Sequence, residues 1–99
     1  MPSLRNTAVR WTRTALANLV AIVEYIEQDS PERAKSFALE IRAQTNNLAD
    51  FPELGRAGRV PGTRELVVHP HYVIAYRVRG ITIEILRVQH VARRWPRRL

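Results

Sequence analysis

Apolar and polar positions change period twice along this chain. Val9 and Trp11 alternate with Arg10 and Thr12, the period of two that a short strand requires. Leu16, Leu19, Val20, Val23 and Ile26 then recur at three- and four-residue intervals, which gathers them on one side of a helix. Thr12 or Thr14 stands where that helix needs a cap, and Leu16 and Leu19 are assigned to the core. Asp29 and Ser30 close it. Ser30-Pro31-Glu32 opens a second helix with a serine cap, a proline at the first helical position and an acid favoured by the helix dipole. Ala34, Phe37, Ala38, Ile41 and Leu48 give this helix one apolar face, and the tight junction makes the pair an antiparallel hairpin.

The period then returns to two. Phe51 to Gly62, with three glycines and two prolines, predicts a loop in which Arg56 and Arg59 could embrace a phosphate or simply face solvent. Three strands follow, over Arg64 to His69, Tyr72 to Val78 and Thr82 to His90. Arg79-Gly80 predicts a two-residue hairpin link that sets Val78 against Ile81, Tyr76 against Ile83, Ile74 against Ile85 and Tyr72 against Arg87. One sheet face is then largely apolar and receives the helices. The other presents Val73, Ala75, Arg77, Thr82, Glu84, Leu86, Val88 and His90, a mixed surface suited to a ligand or partner. The face that carries Arg64 is left open by the Pro70-His71 turn. The expected fold class is α+β: a short N-terminal strand, a helical hairpin and a three-stranded antiparallel sheet in one domain over residues 1–99.

Composition narrows the chemistry. The chain of 99 residues contains no cysteine, which removes disulfides, thiolate nucleophiles and cysteine-ligated zinc. Neither a metal nor a cofactor is called for. Met1 to Arg13 holds three arginines and no apolar stretch long enough for a signal peptide, and Asn18 breaks the longest near-apolar run, so a soluble, cytoplasmic protein with no membrane partner is expected. The net charge of +7 is confined to one half: residues 1–50 balance six bases against six acids, whereas residues 51–99 set ten arginines against Glu53, Glu65 and Glu84. Arginine forks onto phosphate and carboxylate, so a polyanion or an acidic protein is the partner that this half suits.

A set of motifs runs in order through the chain: Trp11, Thr12 and Ala15; Ser30, Pro31 and Ala34; Leu48, Phe51 and Pro52; Pro61 to Leu66 as PGTREL; Tyr72 to Val78; Ile85 to His90; and Arg93 to Pro96 as RRWP. Taken together they resemble the RelE/ParE superfamily of toxins from bacterial type II toxin–antitoxin modules, especially its plasmid-stabilisation, ParE-like branch. The resemblance implies the element order that the periodicity gives. It also implies a cognate antitoxin, acidic and folding as it binds by adding a helix or strand, with operator DNA contacted only through the toxin–antitoxin complex. RelE-like members cut mRNA on the ribosome, whereas ParE-like members poison DNA gyrase without cutting.

Metal-free RNA cleavage needs a base, an acid and cations for the charge that grows on phosphorus. His90, with Arg87, Arg93 and Tyr72, could supply them, and His90 stands where some nuclease relatives carry histidine. Residues 51–99 contain no lysine and no tyrosine after Tyr76, however, and Trp95 stands where some nuclease relatives have a tyrosine. The complete plasmid-stabilisation motifs therefore point to a gyrase inhibitor, with a nuclease as the alternative and a non-toxic nucleic-acid-binding module as the third class. Binding rather than catalysis is the expectation for Arg56, Arg59, Arg64, Arg77, Arg94 and Trp95, the last either stacking on a partner or folding back against the helices. His69 and His71, flanking Pro70, are expected to be exposed.

Overall fold

A computed structural model describes residues 7–99. Strand β1 (Ala8–Trp11) leads into helices α1 (Arg13–Asp29) and α2 (Pro31–Asn47), followed by β2 (Arg56–Ala57), β3 (Arg64–His69), β4 (Tyr72–Arg79) and β5 (Thr82–His90). The expected α+β class holds, with a larger sheet than expected. Its five strands run in the order β1-β5-β4-β3-β2, with β1 parallel to β5 and the other pairs antiparallel. The first strand thus joins the sheet, and the glycine-rich loop contributes a two-residue edge strand against Arg64 and Glu65.

The helix boundaries follow from their caps. Thr12 Oγ1 accepts from the Ala15 amide at 3.1 Å and donates to the Ile85 carbonyl at 2.9 Å, so a single side chain starts α1 and fastens it to the sheet. Ser30 takes the last amide bond of α1 to Ile26 and accepts from the Arg33 amide with its side chain, and so serves both helices. Phe37, Ile41, Leu48, Leu66, Ile74, Tyr76, Ile83, Ile85 and Val88 fill the core between helices and sheet. Helix α1 buries only Ala15 completely; Leu16 is 52% exposed and Val20 49%, which corrects the core assignment of Leu16. Its stripe is wider than the single sheet it covers, so one flank lies in solvent.

The β4–β5 register differs from the expected one. The turn is Gly80-Ile81, with Gly80 at φ +57° and Ile81 at negative φ, the pattern of a type II′ turn with glycine at its first central position. Val78 pairs with Ile83 and Tyr76 with Ile85. A shift of two residues preserves side-chain parity, so Tyr76, Ile83 and Ile85 still face the helices. A bulge then intervenes: Ala75 pairs with Arg87, which leaves Leu86 as the extra residue. Beyond it the parity inverts. Ile74 lies opposite Val88 and Tyr72 opposite His90, so Val88 and His90 belong to the helix side and not to the outer face.

The outer face is also less open than the sequence suggests. Val73, Ala75, Leu86 and Gln89 are buried there, together with the Glu65 side chain. The 58–62 loop and the chain beyond β5 roof this face. Gln89 Nε2 donates to the Arg94 carbonyl at 3.5 Å, and the Arg59 guanidinium lies 3.9 Å from the Trp95 ring centre. Trp95 therefore folds back, against the sheet rather than the helices.

Candidate functional site

Strand β5 is nine residues long, but β1 pairs with only its first four, Thr82 to Ile85. Past that point the chain of β1 turns away into α1, and among the described residues no strand covers the side of β5 from Leu86 to His90. An open groove of about 1050 Å³ lies there. Ala21, Ile22 and Tyr25 of α1 form its apolar wall, and Arg87, His90, Arg93 and Arg94 its basic wall, with Tyr72 at one end. Tyr25 is 67% exposed. Asn18, the residue that interrupts the apolar run of α1, accepts the Val88 amide on its Oδ1 at 3.2 Å. One donor of the strand edge is thereby satisfied by a side chain.

The four residues proposed for RNA cleavage, His90, Arg87, Arg93 and Tyr72, all line this groove. Tyr72 lies opposite His90 rather than Arg87, their rings 5.3 Å apart in an edge-to-face arrangement. His71 stacks on His90 at 5.8 Å, and His69 lies 5.5 Å from His71; His71 is exposed as expected and His69 half-buried, and both stand in one cluster with His90. His90 Nδ1 accepts the Ala92 amide at 3.1 Å. In the neutral ring that contact puts the proton on Nε2. Among the described residues no three histidine or carboxylate side chains are grouped so as to hold a metal ion.

The residues assigned to binding divide differently. Arg56 and Arg59 both converge on Glu65, at 3.4 Å and 3.1 Å. Burial pushes the Glu65 carboxyl up, but hydrogen bonds from the Arg59 side chain and amide, its charge, and Arg56 outweigh that and hold the group below the usual glutamate range. Arg64 lies opposite Tyr76, on the helix side, and its guanidinium donates to the carbonyls of Gly55 at 2.8 Å and Glu53 at 3.5 Å. Arg77 pairs with Glu84 at 2.7 Å, and this bond, supplemented by the charges of Arg77, Arg79 and Arg10, keeps the Glu84 pKa low. Trp95 is engaged by Arg59, leaving Arg94 alone of this group in the groove.

Tyr76 links these parts. It is wholly buried, and its hydroxyl accepts from the Gly55 amide at 2.9 Å and donates to the Pro52 carbonyl at 2.8 Å. Burial raises its pKa, partly opposed by the Gly55 bond and the Arg64 charge, so the phenol is neutral and structural. Sequence reasoning missed the groove itself. Its signals were the break at Asn18 and the length of β5 relative to β1.

This basic α+β domain, with a helical hairpin on one side of its sheet and an amphipathic groove at the sheet's edge, has the fold of the RelE/ParE superfamily of toxins. The model of the family described as ParE toxin of type II toxin-antitoxin system, parDE, matches residues 9–95, and the chain belongs to that family. It is 46% identical over 85 residues to "Toxin RelE2" of Caulobacter vibrioides, covering 86% of this chain and 96% of that protein. It is 42% identical over 89 residues to "Putative toxin Y4kP" of Sinorhizobium fredii, covering 89% and 92%. Among solved structures, one titled "Chromosomal ParDE TA system from P. aeruginosa" is similar with a TM-score of 0.75 and 34% identity, covering 86% of this chain and 96% of that one. The protein is a toxin of the type II toxin–antitoxin class.

Proposed function

We propose that this toxin acts by binding rather than cutting: it inhibits DNA gyrase in the ParE-like manner, and a cognate antitoxin silences it. The observation that carries the reading is the hydrogen bond from the Ala92 amide to His90 Nδ1. A general base needs a free lone pair, and this bond occupies the one lone pair of the neutral ring. One further point supports it: the match to the ParE toxin family runs over residues 9–95.

The antitoxin is an acidic segment, disordered alone, that folds into the groove between α1 and the end of β5. Its carboxylates meet Arg87, Arg93 and Arg94, its apolar side chains meet Ala21, Ile22 and Tyr25, and the uncovered side of β5 offers backbone groups to an extended stretch. DNA is contacted only by the toxin–antitoxin complex.

Induced expression without antitoxin arrests growth, and stoichiometric toxin blocks supercoiling by purified gyrase. Undiminished supercoiling at that ratio would remove the gyrase reading. A ribosome-dependent mRNA endoribonuclease is the second reading, favoured by the meeting of His90, Arg87, Arg93 and Tyr72 in one groove. It requires new 5′ ends in translated messages that disappear with His90→Ala. The gyrase reading instead expects that variant to inhibit as well as the parent.

A further inference from the structure

The chain has three histidines, and all of them meet in one place. His69 and His71 lie 5.5 Å apart by ring centre, and His71 and His90 lie 5.8 Å apart and nearly parallel, at 8°. Phe37 of α2 packs edge-on to His69 at 5.7 Å, while Tyr72 of β4 touches both His69 and His90, at 5.6 and 5.3 Å. Two of these rings perform the same local task. The His71 amide donates to His69 Nδ1 at 3.1 Å, and the Ala92 amide donates to His90 Nδ1 at 3.1 Å. The first bond shapes the turn between β3 and β4, and the second shapes the exit from β5. A third bond, from the Val91 amide to the His71 carbonyl at 2.9 Å, ties the two turns together.

Each Nδ1 accepts a backbone amide only while it carries no proton. Protonation turns the acceptor into a donor facing another donor, and adds positive charge beside two other imidazoles. The charged groups that bear on the cluster are themselves cationic: Arg33 from α2 acts on His69, and Arg87 and Arg93 share the groove with His90. Burial, then the nearby His71 and Arg33, hold the His69 pKa below its ordinary value.

We propose that His69, His71 and His90 form a pH-sensitive clasp: neutral, it fastens the β3–β4 turn to the chain leaving β5, and protonated, it releases both turns. The sign follows from linkage. A histidine whose folded pKa is depressed contributes stability that is complete above the unfolded value near 6.5 and is lost as pH falls below it. Carboxylates ordinarily titrate lower, so between about pH 7 and 5.5 histidine is the side-chain type in range, and the chain's three histidines all lie in this cluster. Because Tyr72 and His90 line the groove, release also reshapes the wall on which the antitoxin is proposed to dock. That consequence rests on the proposed function, whereas the clasp itself does not.

The test uses the toxin alone. Nitrogen-15 NMR at about pH 8 is expected to report the Nε2–H tautomer for His69 and His90, and the His71 and Ala92 amide signals should then titrate together with those rings. An Nδ1–H tautomer at either ring, or amides indifferent to the ring titration, overturns the proposal. Across the same range the unfolding constant measured in urea should rise about tenfold per unit of difference between folded and unfolded pKa. A His69→Asn, His90→Asn variant supplies an amide oxygen near the place of each Nδ1 and cannot titrate. It should flatten that dependence, and an undiminished dependence in this variant also overturns the clasp. Each single substitution removes one of the two steps, so the reading survives a double variant that does not fold.

Discussion

Glu65 is the one buried acid among the described residues, and its surroundings explain why it is tolerated. It accepts from the Arg59 amide at 2.8 Å, from the Arg59 guanidinium and from Arg56, so its lone pairs are used and its charge is matched. Arg59 in turn lies against Trp95. Glu65→Gln is expected to cost about 1–3 kcal/mol, a range held down because both arginines reach solvent. A urea titration measures the loss, and the emission of Trp95 in a Trp11→Phe background should move to longer wavelength as the stack loosens. The sign with pH is opposite to that of the histidines. A carboxylate whose folded pKa is depressed contributes stability above the unfolded value of about 4.5 that is lost as pH falls through the folded one. The acid limb of the stability curve should therefore shrink in Glu65→Gln. Tyr76→Phe removes two hydrogen bonds and leaves the Gly55 amide and Pro52 carbonyl without their partner, at a cost of about 1–3 kcal/mol. Gly55→Ala is worse placed: its new methyl would lie 2.7 Å from Tyr76 Cε1 and 2.8 Å from the Glu65 carbonyl, so backbone must move. Thermal denaturation should rank it at or below Tyr76→Phe.

At the scale of elements, periodicity and capping carried most of the information. Thr12 and Ser30 cap the helices where their side chains predict, and β3 to β5 begin where the alternation resumes. Three features were hidden for physical reasons. A two-residue edge strand such as β2 leaves no periodic trace. A bulge at Leu86 inserts one residue in the segment IEILRV, where the adjacent apolar pair Ile85-Leu86 lets either parity read as plausible. The partner of β1 is 74 positions away, at Ala8 against Thr82, and alternation says nothing about which strand a strand joins. The groove exists because of the last two, since the bulge turns Val88 and His90 toward the helices just where β1 departs. Asn18 guards this edge. Asn18→Ala should speed hydrogen exchange at the Val88 amide selectively and lower stability by about 1 kcal/mol, while Asn18→Asp, which keeps the acceptor, should preserve protection.

For the whole molecule, the charge that the sequence crowds into one half is divided by the fold. The arginine-rich half was expected as a whole to suit a polyanion or an acidic protein. Folding instead splits it, with Arg56, Arg59, Arg64 and Arg77 turned to internal partners and Arg87, Arg93 and Arg94 gathered at the groove. Substituting the second group should weaken capture of an acidic partner and its dependence on salt, with little effect on folding. Substituting Arg59 should do the reverse. Removal of residues 94–99 takes away Trp95 and uncovers the outer face over Val73, Ala75 and Gln89, so such a shortened chain is expected to bind hydrophobic dyes and to associate. Sedimentation of the parent and shortened proteins measures this directly.

The parallel pairing of the first strand with the last also governs when this protein comes into being. Synthesis proceeds from the N-terminus, so β1 and the helical hairpin emerge with no sheet to receive them. Ile83 and Ile85, which close the core, and Ile85's carbonyl, which anchors Thr12, arrive only after every other element of the fold has been made. A nascent chain interrupted at Gly80 lacks both and has no route to the native sheet. The fold is completed through contacts that span almost its full length, the kind that form late and slowly. The helical hairpin therefore waits, its apolar face uncovered, until the strand that completes the sheet has been made.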